Sequence, residues 1–218
     1  MEEFGERPEQ IVAAPTPVRW KGATSFDPIH QLNERCIELL CDAATYDSPE
    51  VTLPIVTAHR DVWGRLELDS RQRVARLPFV IADAQFRNAT WWRRVTQGQP
   101  HEAQVDAISN GLPKEPSEHL MLEVLMFAWQ TARQDKAVAL MAFAMSSPVA
   151  EIIAELTPRQ IRTIAARESQ TVQIRWASDL DFWQDLLMAA QEGDEKRLAE
   201  LHLHAKLMLC GGFLAAPR

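Results

Sequence analysis

The stretch Glu123–Trp176 reads EVLMFAWQTARQDKAVALMAFAMSSPVAEIIAELTPRQIRTIAARESQTVQIRW and decides the fold class. Its first part is apolar on most sides, and Ser117 precedes it as a residue able to cap a helix. We therefore predict one long helix from about residue 118 to residue 145. Such a helix is the central helix of the second half of the chain, or it lies in a dimer interface.

Two shorter helices are predicted from the remainder of this stretch. Ser147-Pro148 is a typical helix start, and the helix that follows should end near Glu155. Thr157-Pro158 is a second start, and Gln160 stands three residues after Thr157, which is the capping-box pattern. The segment from Thr171 to Trp176 alternates apolar and polar residues, so it is predicted as a short strand or extended segment.

Signals for the start and end of helices also occur outside this stretch. Asp27-Pro28 predicts a helix start, as does Asp179, and Gly193-Asp194 opens a last helix that Gly211-Gly212 should end. A short apolar run at residues 79–82 fits a buried strand or a buried helix. The fold class is therefore all-α, a multi-helix bundle-like arrangement with at most one or two short strands or extended segments.

Composition shifts along the chain predict four regions. Residues 1–25 have no periodicity and form a loose N-terminal arm, and residues 26–97 form an N-terminal helical region. Residues 98–116 are polar and contain two glycines and three prolines, which predicts a linker. Residues 117–218 form the second helical region, with a helical extension at its C-terminal end.

The overall composition indicates a cytoplasmic globular protein. The 218 residues have a net charge of −7, and an acidic average argues against non-specific binding to polyanions. Three cysteines are too few, and odd in number, for a disulfide framework. No apolar run reaches the roughly 18 residues that a membrane span requires. We expect no membrane association.

The sequence contains no pattern that predicts catalysis, a cofactor or a metal. His202 and His204 stand two apart on a helix, so their rings point in different directions and do not form a metal pair. There is no GxSxG, no glycine-rich phosphate loop and no GxGxxG. We therefore predict no catalytic residue, no metal ligand and no cofactor, and an enzyme is the least favoured function.

The distribution of charge along the sequence says more about possible partners than the net charge does. Residues 156–176 contain four arginines and one glutamate, a local charge of +3: Arg159, Arg162, Arg167, Arg175 and Glu168. Arg159 and Arg162 are three residues apart and share a helix face. A second basic stretch, between residues 60 and 94, includes Arg93 and Arg94. Basic faces on an acidic protein are either phosphate contacts, or solvated faces and sites for acidic partners.

The order of motifs in the deciding stretch resembles the bacterial flagellar transcriptional activator subunit FlhD. An apolar helix ends in Gln134-Asp135-Lys136-Ala137, followed by a short helix and by Leu156-Thr157-Pro158-Arg159-Gln160. An alternating segment then ends in Ile174-Arg175-Trp176. The resemblance covers about 55 residues, within 120–176. It implies an all-helical, dimeric protein that activates transcription together with a second, zinc-containing subunit, FlhC.

Two functions follow as hypotheses. The first is a non-enzymatic, FlhD-like transcriptional regulator that forms a homodimer and contacts DNA, directly or with a second regulatory subunit. Its contact residues for DNA or for the partner are predicted to be Arg159, Arg162, Arg167 and Arg175. The alternative is a helical adaptor, associated with motility or secretion, that binds protein and not DNA. The abundant tryptophans would suit the interface of such an adaptor.

Overall fold

Helices make up most of the computed structural model, which describes residues 27–45, 51–98 and 110–214. Eleven α-helices lie in these ranges: α1 Asp27–Thr45, α2 Pro54–Ala58, α3 Arg60–Gly64, α4 Leu68–Ala75, α5 Ala89–Thr96, α6 Lys114–Gln134, α7 Lys136–Ala142, α8 Ser147–Glu155, α9 Pro158–Glu168, α10 Leu180–Glu192 and α11 Glu195–Leu214. A single 3-10 turn follows α9 at Ser169–Thr171. The predicted all-α class is confirmed.

One small sheet joins the two halves of the chain. Its strands are β1, Ala82–Asp83, and β2, Gln173–Ile174, and they pair antiparallel with Ala82 opposite Ile174. The strand predicted from the alternation at residues 171–176 is therefore confirmed as a two-residue strand. The apolar run at 79–82 reaches β1 only with its last residue, and its other residues are buried without forming a helix.

The predicted continuous helix from 118 to 145 is wrong at both ends and in the middle. Helix α6 begins earlier, at Lys114, and it ends at Gln134 because Asp135 adopts an extended backbone with φ −152°. The Asp135 carboxylate then accepts a 3.1 Å hydrogen bond from the amide of Val138 and caps α7. A side chain that competes for backbone amides can thus divide an otherwise apolar helix.

The last helix is also longer than predicted. Gly193 adopts a left-handed conformation, φ 68°, and separates α10 from α11, as expected of a glycine at a helix end. Gly211-Gly212 does not end α11, which runs on to Leu214. Glycine weakens a helix interior without forbidding it, so two glycines are not a reliable stop signal.

The core is shared by the regions on either side of residues 98–116. Helix α6 packs against α1 as well as α7, α8 and α9, and α10 packs against α2, α3, α4 and α11. Buried residues from both regions belong to one continuous hydrophobic cluster. The predicted boundary therefore separates two stretches of sequence that fold around a common core.

The C-terminal end of the predicted linker is built into that core. Asn110 is buried, and its amide nitrogen donates to the Ser117 hydroxyl at 2.9 Å. The carbonyl oxygen of Gly111 accepts a 3.0 Å hydrogen bond from the amide of Thr52. A Cβ at Gly111 would lie 2.6 Å from the backbone nitrogen of Leu53, so glycine is required for this close approach. The rest of the predicted linker, residues 99–109, and the predicted arm, residues 1–25, lie outside the described residues.

Asn33 on α1 organises the segment that leads into β1. Its side-chain nitrogen donates to the carbonyl oxygens of Ala75, Leu77 and Phe79, at 3.2, 3.3 and 2.9 Å. Its side-chain oxygen accepts from the amide of Ile81 at 3.0 Å. Backbone groups buried in an irregular segment need such partners, so one asparagine replaces the ladder that regular structure would supply.

Four of the tryptophans in the described residues lie in the core. Trp63, Trp92 and Trp183 are fully buried, and Trp91 is 9% exposed. The rings of Trp63 and Trp183 lie 5.8 Å apart, between α3 and α10. A tryptophan-bearing interface, which the adaptor alternative predicted, does not occur on these four residues.

No single helix among the described residues combines the length and the apolarity of a membrane span. The helices α7 and α8 reach that composition only as a pair, and they are bent by 117° relative to each other.

Candidate functional site

The site begins with the start of α9. The Thr157 hydroxyl accepts a 3.3 Å hydrogen bond from the amide of Gln160, and the Gln160 side chain accepts a 2.9 Å hydrogen bond from the amide of Thr157. The capping box predicted from the sequence is therefore confirmed. Pro158 occupies the first turn, where its missing N–H costs no hydrogen bond.

Helix α9 has one buried and one exposed face. Ile161, Ile164 and Ala165 are buried where the helix packs on α6. Arg159 and Arg162 are exposed on the other side, as their spacing predicted. Within the described part of the chain, neither guanidinium makes an ion pair with a carboxylate, so both remain available to a ligand from outside.

A tryptophan of α6 holds the turn that precedes α9. The indole Nε1 of Trp129 donates a 2.7 Å hydrogen bond to the carbonyl oxygen of Leu156. The guanidinium of Arg133, one turn further along α6, lies 4.9 Å from the centroid of the Trp129 ring, in cation–π range. The exposed face of α9 is thus positioned by side chains of α6.

The pair α8 and α9 has the length of a helix-turn-helix, with Leu156 and Thr157 as the connection. Both helices pack extensively against α6, while they make few contacts with each other. The pair is therefore two helices on a common support rather than a compact unit of its own.

Arg167 and Arg175 occupy different environments from the other two predicted contact residues. Arg167 is exposed at the end of α9, and its guanidinium lies 3.7 Å from the carboxylate of the buried neighbour Glu168. This pairing neutralises part of its charge. Arg167 is therefore not grouped with Arg159 and Arg162, whose guanidinium groups make no ion pair within the described residues.

Arg175 is buried, which corrects its predicted role as a contact residue. Its side chain is 8% exposed, and its guanidinium donates to the carbonyl oxygen of Val80 at 3.0 Å, to the Asp83 carboxylate at 3.2 Å and to the carbonyl oxygen of Phe143 at 2.7 Å. Burial lowers the pKa of the Arg175 guanidinium from its ordinary value, and the Asp83 carboxylate opposes that change. With its donors used internally, Arg175 joins β2 to the β1 segment and to the end of α7.

Helix α5 supplies two further arginines, which the sequence placed in a basic stretch but which were not among the predicted contact residues. The Asn88 side chain caps this helix by accepting from the amide of Trp91 at 2.9 Å. Trp91, Trp92 and Val95 are buried, and the helix packs against α8 and α9. Arg93 and Arg94 are exposed. The sequence feature that could have indicated these contact residues is an Arg-Arg pair directly after two aromatic residues, in a helix without acidic residues.

These four exposed arginines, Arg93, Arg94, Arg159 and Arg162, are called the arginine surface below. Helices α5 and α9 contain five arginines and one glutamate, a formal charge of +4 in a chain whose net charge is −7. The single glutamate is the buried Glu168. These arginines therefore place exposed positive charge on two helices that pack against each other, which suits the binding of a polyanion.

The two cysteines of α1, Cys36 and Cys41, are buried. Burial raises the pKa of the Cys41 thiol to about 11 and also raises the pKa of the Cys36 thiol, which disfavours the nucleophilic thiolate. In residues 27–45, 51–98 and 110–214 no group of three or more histidine, cysteine, aspartate or glutamate side chains is placed to hold a metal ion.

Comparison with known proteins identifies the region that contains α9. Residues 118–212 match the family described as Flagellar transcriptional activator (FlhD). This region is FlhD-like. The match covers less than half of the 218 residues, and it extends beyond the resemblance at residues 120–176 to include α10 and most of α11. No curated protein and no solved structure matches the chain.

The FlhD-like region contains α9 but not α5. Arg159 and Arg162 of the arginine surface therefore belong to the matched region, whereas Arg93 and Arg94 come from the part that precedes it. The matched family is one of transcriptional activators and not of enzymes. Helices α1 to α5 are additional to the matched region and share its core.

Proposed function

We propose that this protein is a transcriptional regulator of the FlhD type that contacts the phosphate backbone of DNA through the arginine surface. The observation that supports this most directly is the exposure of Arg159 and Arg162 on one face of α9, inside the FlhD-like region. Guanidinium groups bind phosphate oxygens with two parallel hydrogen bonds, which suits this task better than a diffuse charge.

The neighbouring helix strengthens the electrostatic argument. Arg93 and Arg94 extend the positive charge onto α5, and α5 contains no acidic residue. Phosphate contacts fix the position and orientation of a protein on DNA without reading its sequence. We therefore assign the selection of a DNA sequence to the complete assembly, which we propose includes a second regulatory subunit.

We also propose that the protein acts as a homodimer. Support comes from α11, which is apolar on two opposite sides. Leu198, Leu201 and Ala205 are buried on the side facing α10, while Leu203 and Leu207 are 58% and 63% exposed. Leu203 and Leu207 lie one helical turn apart, and a second copy packed against this side of α11 would cover both. Sedimentation of Leu203→Glu/Leu207→Glu at several concentrations tests this, with a dimer expected only for the wild type.

The DNA proposal is tested by fluorescence anisotropy with a labelled duplex, across a salt range from about 50 to about 200 mM, where phosphate contacts weaken steeply. The wild type should show a linear fall of log affinity with log salt. Each phosphate contact contributes about 0.9 to that slope, so Arg159→Ala/Arg162→Ala should reduce it by about 2 per chain.

A matched control removes two positive charges elsewhere. Arg65→Ala/Lys196→Ala changes exposed residues at the end of α3 and in the first turn of α11, and it produces the same change in net charge. The proposal requires that this control binds like the wild type. Equal loss of affinity in both variants would show that binding follows net charge and not the arginine surface, and the proposal would fail.

A further inference from the structure

A groove of about 370 Å³ lies between the second half of α1 and the first half of α6. Its floor is apolar and includes Leu39 and Ala43 of α1, Val51, and Pro116 and Leu120 of α6. Val51 and Leu120 are almost fully buried, while the other three are partly exposed. A volume of this order holds one large side chain with part of its backbone, within the range of binding clefts of about 300–1,000 Å³.

The rim of the groove is acidic. Glu38, Asp42 and Glu123 contribute three carboxylates, and Arg35 contributes one guanidinium, a formal charge of −2. The Arg35 guanidinium lies 2.7 Å from the Glu38 carboxylate and 3.9 Å from the Glu123 carboxylate, so it forms ion pairs with two of the three acidic residues. The Asp42 carboxylate makes no ion pair within the described residues. An occupant with an apolar group between two cations would match both the floor and the rim.

The N-terminal sequence of this chain contains such an occupant. Residues 18–21 read Val-Arg-Trp-Lys, with Trp20 between Arg19 and Lys21. We propose that the groove binds these residues of the same chain, with Trp20 on the apolar floor and with Arg19 and Lys21 at the acidic rim. The two cations balance the formal charge of −2, and tryptophan is the side chain that gives most contact area when it enters an apolar cleft.

The length of chain between Trp20 and α1 permits this contact. The centre of the groove lies near Leu39, twelve residues into a helix that begins at Asp27, or about 18 Å along its axis at 1.5 Å per residue. Seven residue steps separate Trp20 from Asp27, and they span at most about 25 Å when extended. A segment that folds back along α1 therefore reaches the groove within a single chain.

Intramolecular attachment also lowers the entropic cost of the interaction. The segment is joined to the helix that forms one wall of the groove, so its effective concentration there is high, in the millimolar range for a short connection. A few weak contacts are then sufficient for binding.

The test uses full-length protein labelled with 5-fluorotryptophan, in which Trp20→Phe assigns the fluorine resonance of Trp20. Broadening of that resonance by a soluble paramagnetic agent measures its exposure. In the wild type the Trp20 resonance should be protected. Asp42→Lys should reduce the ratio of protected to exposed Trp20 about tenfold, which corresponds to about 1.4 kcal/mol. The control Asp69→Lys reverses an exposed charge on α4 that does not line the groove, and it should leave the protection unchanged.

A charge swap completes the test. Lys21→Asp in combination with Asp42→Lys should restore protection, since the pair then has opposite charges again; a misfolded groove would not be rescued. Four outcomes overturn the proposal: full exposure of Trp20 in the wild type, equal protection in the wild type and Asp42→Lys, no rescue by the swap, or protection that rises with protein concentration. The last would indicate that the groove binds another molecule.

Discussion

The indole nitrogen of Trp129 lies 2.7 Å from the carbonyl oxygen of Leu156, and this hydrogen bond attaches the turn before α9 to the middle of the fold. The two residues are 27 positions apart in the sequence. Because Leu156 is the last residue of the turn before the Thr157 cap, the hydrogen bond sets where α9 begins and which side of it faces outward. The orientation of Arg159 and Arg162 depends on this contact.

Trp129→Phe should therefore destabilise the protein and loosen the start of α9. The substitution keeps an aromatic ring but removes the indole N–H together with part of the ring, so the lost hydrogen bond contributes about 1 kcal/mol and the smaller ring adds a loss of packing. Urea unfolding measures the loss, and hydrogen exchange of the amides at residues 157–161 locates it. Trp176→Phe is the control, because the indole N–H of Trp176 makes no hydrogen bond within the described residues. Equal exchange at residues 157–161 in both variants would contradict this account.

Arg175→Met should be strongly destabilising without a specific effect on DNA. Removing one partner of a buried ion pair costs about 3–5 kcal/mol, and the carbonyl oxygens of Val80 and Phe143 would also lose their donor. The free energy of unfolding measures this. The affinity for DNA per folded molecule should equal that of the wild type. A stable variant with weakened DNA binding would instead return Arg175 to the contact surface.

Arg93→Ala/Arg94→Ala tests whether α5 contributes to the same surface as α9. If both arginines contact phosphates, the slope of log affinity against log salt should fall by about 2 per chain, at about 0.9 for each contact. Stability should change little because both side chains are exposed. Salt titrations of DNA binding provide the measurement. An unchanged slope would show that Arg93 and Arg94 of α5 do not contact phosphates.

The stability of the fold should decrease as the pH falls below about 6.5, the ordinary pKa of histidine. Burial lowers the pKa of His202 on α11 most strongly, and the positive charge of Lys206 lowers it further. The Glu195 carboxylate opposes this change, while His30 and Arg76 add smaller effects that also lower the pKa. A histidine with a lowered pKa binds fewer protons in the folded than in the unfolded chain. Its contribution is therefore fully present above pH 6.5 and is lost as the pH falls below that value.

The substitution His202→Gln removes this titration. The free energy of unfolding of the variant should depend less on pH between about 7.5 and 5.5 than that of the wild type, because the unfolded chain then gains one proton fewer across this range. Denaturant unfolding at a series of pH values measures the dependence. His204→Gln, which alters an exposed histidine of the same helix, serves as control. A slope as steep in His202→Gln as in the wild type would assign the effect to other groups, His30 foremost among them.

Local chemistry explains which parts of this structure were predictable. The capping box of Thr157 and Gln160, the cap at Asp179 and the helix boundary at Gly193 each depend on atoms within a few residues, and each is present as predicted. The break at Asp135 was also a local feature, but the apolar run on both sides masked it. In that case the capping carboxylate outweighed the periodicity of the neighbouring residues.

The environment of the arginines could not be predicted in the same way. Arg162 and Arg175 are equally basic in the sequence, yet one is exposed and the other is buried against Asp83, 92 positions away. Likewise, the helix that carries Arg93, α5, packs against α9 although it comes from a part of the chain that precedes the FlhD-like region.

The sequence by itself determined the helices, most of their ends, the all-α class and the FlhD-like character of the second half. These properties follow from backbone hydrogen bonding and side-chain periodicity, which act over a few residues. Only the tertiary structure decided which charges face solvent and which elements share the core. Both depend on partners far apart in sequence, since a buried charge is stable only where distant groups supply its hydrogen bonds.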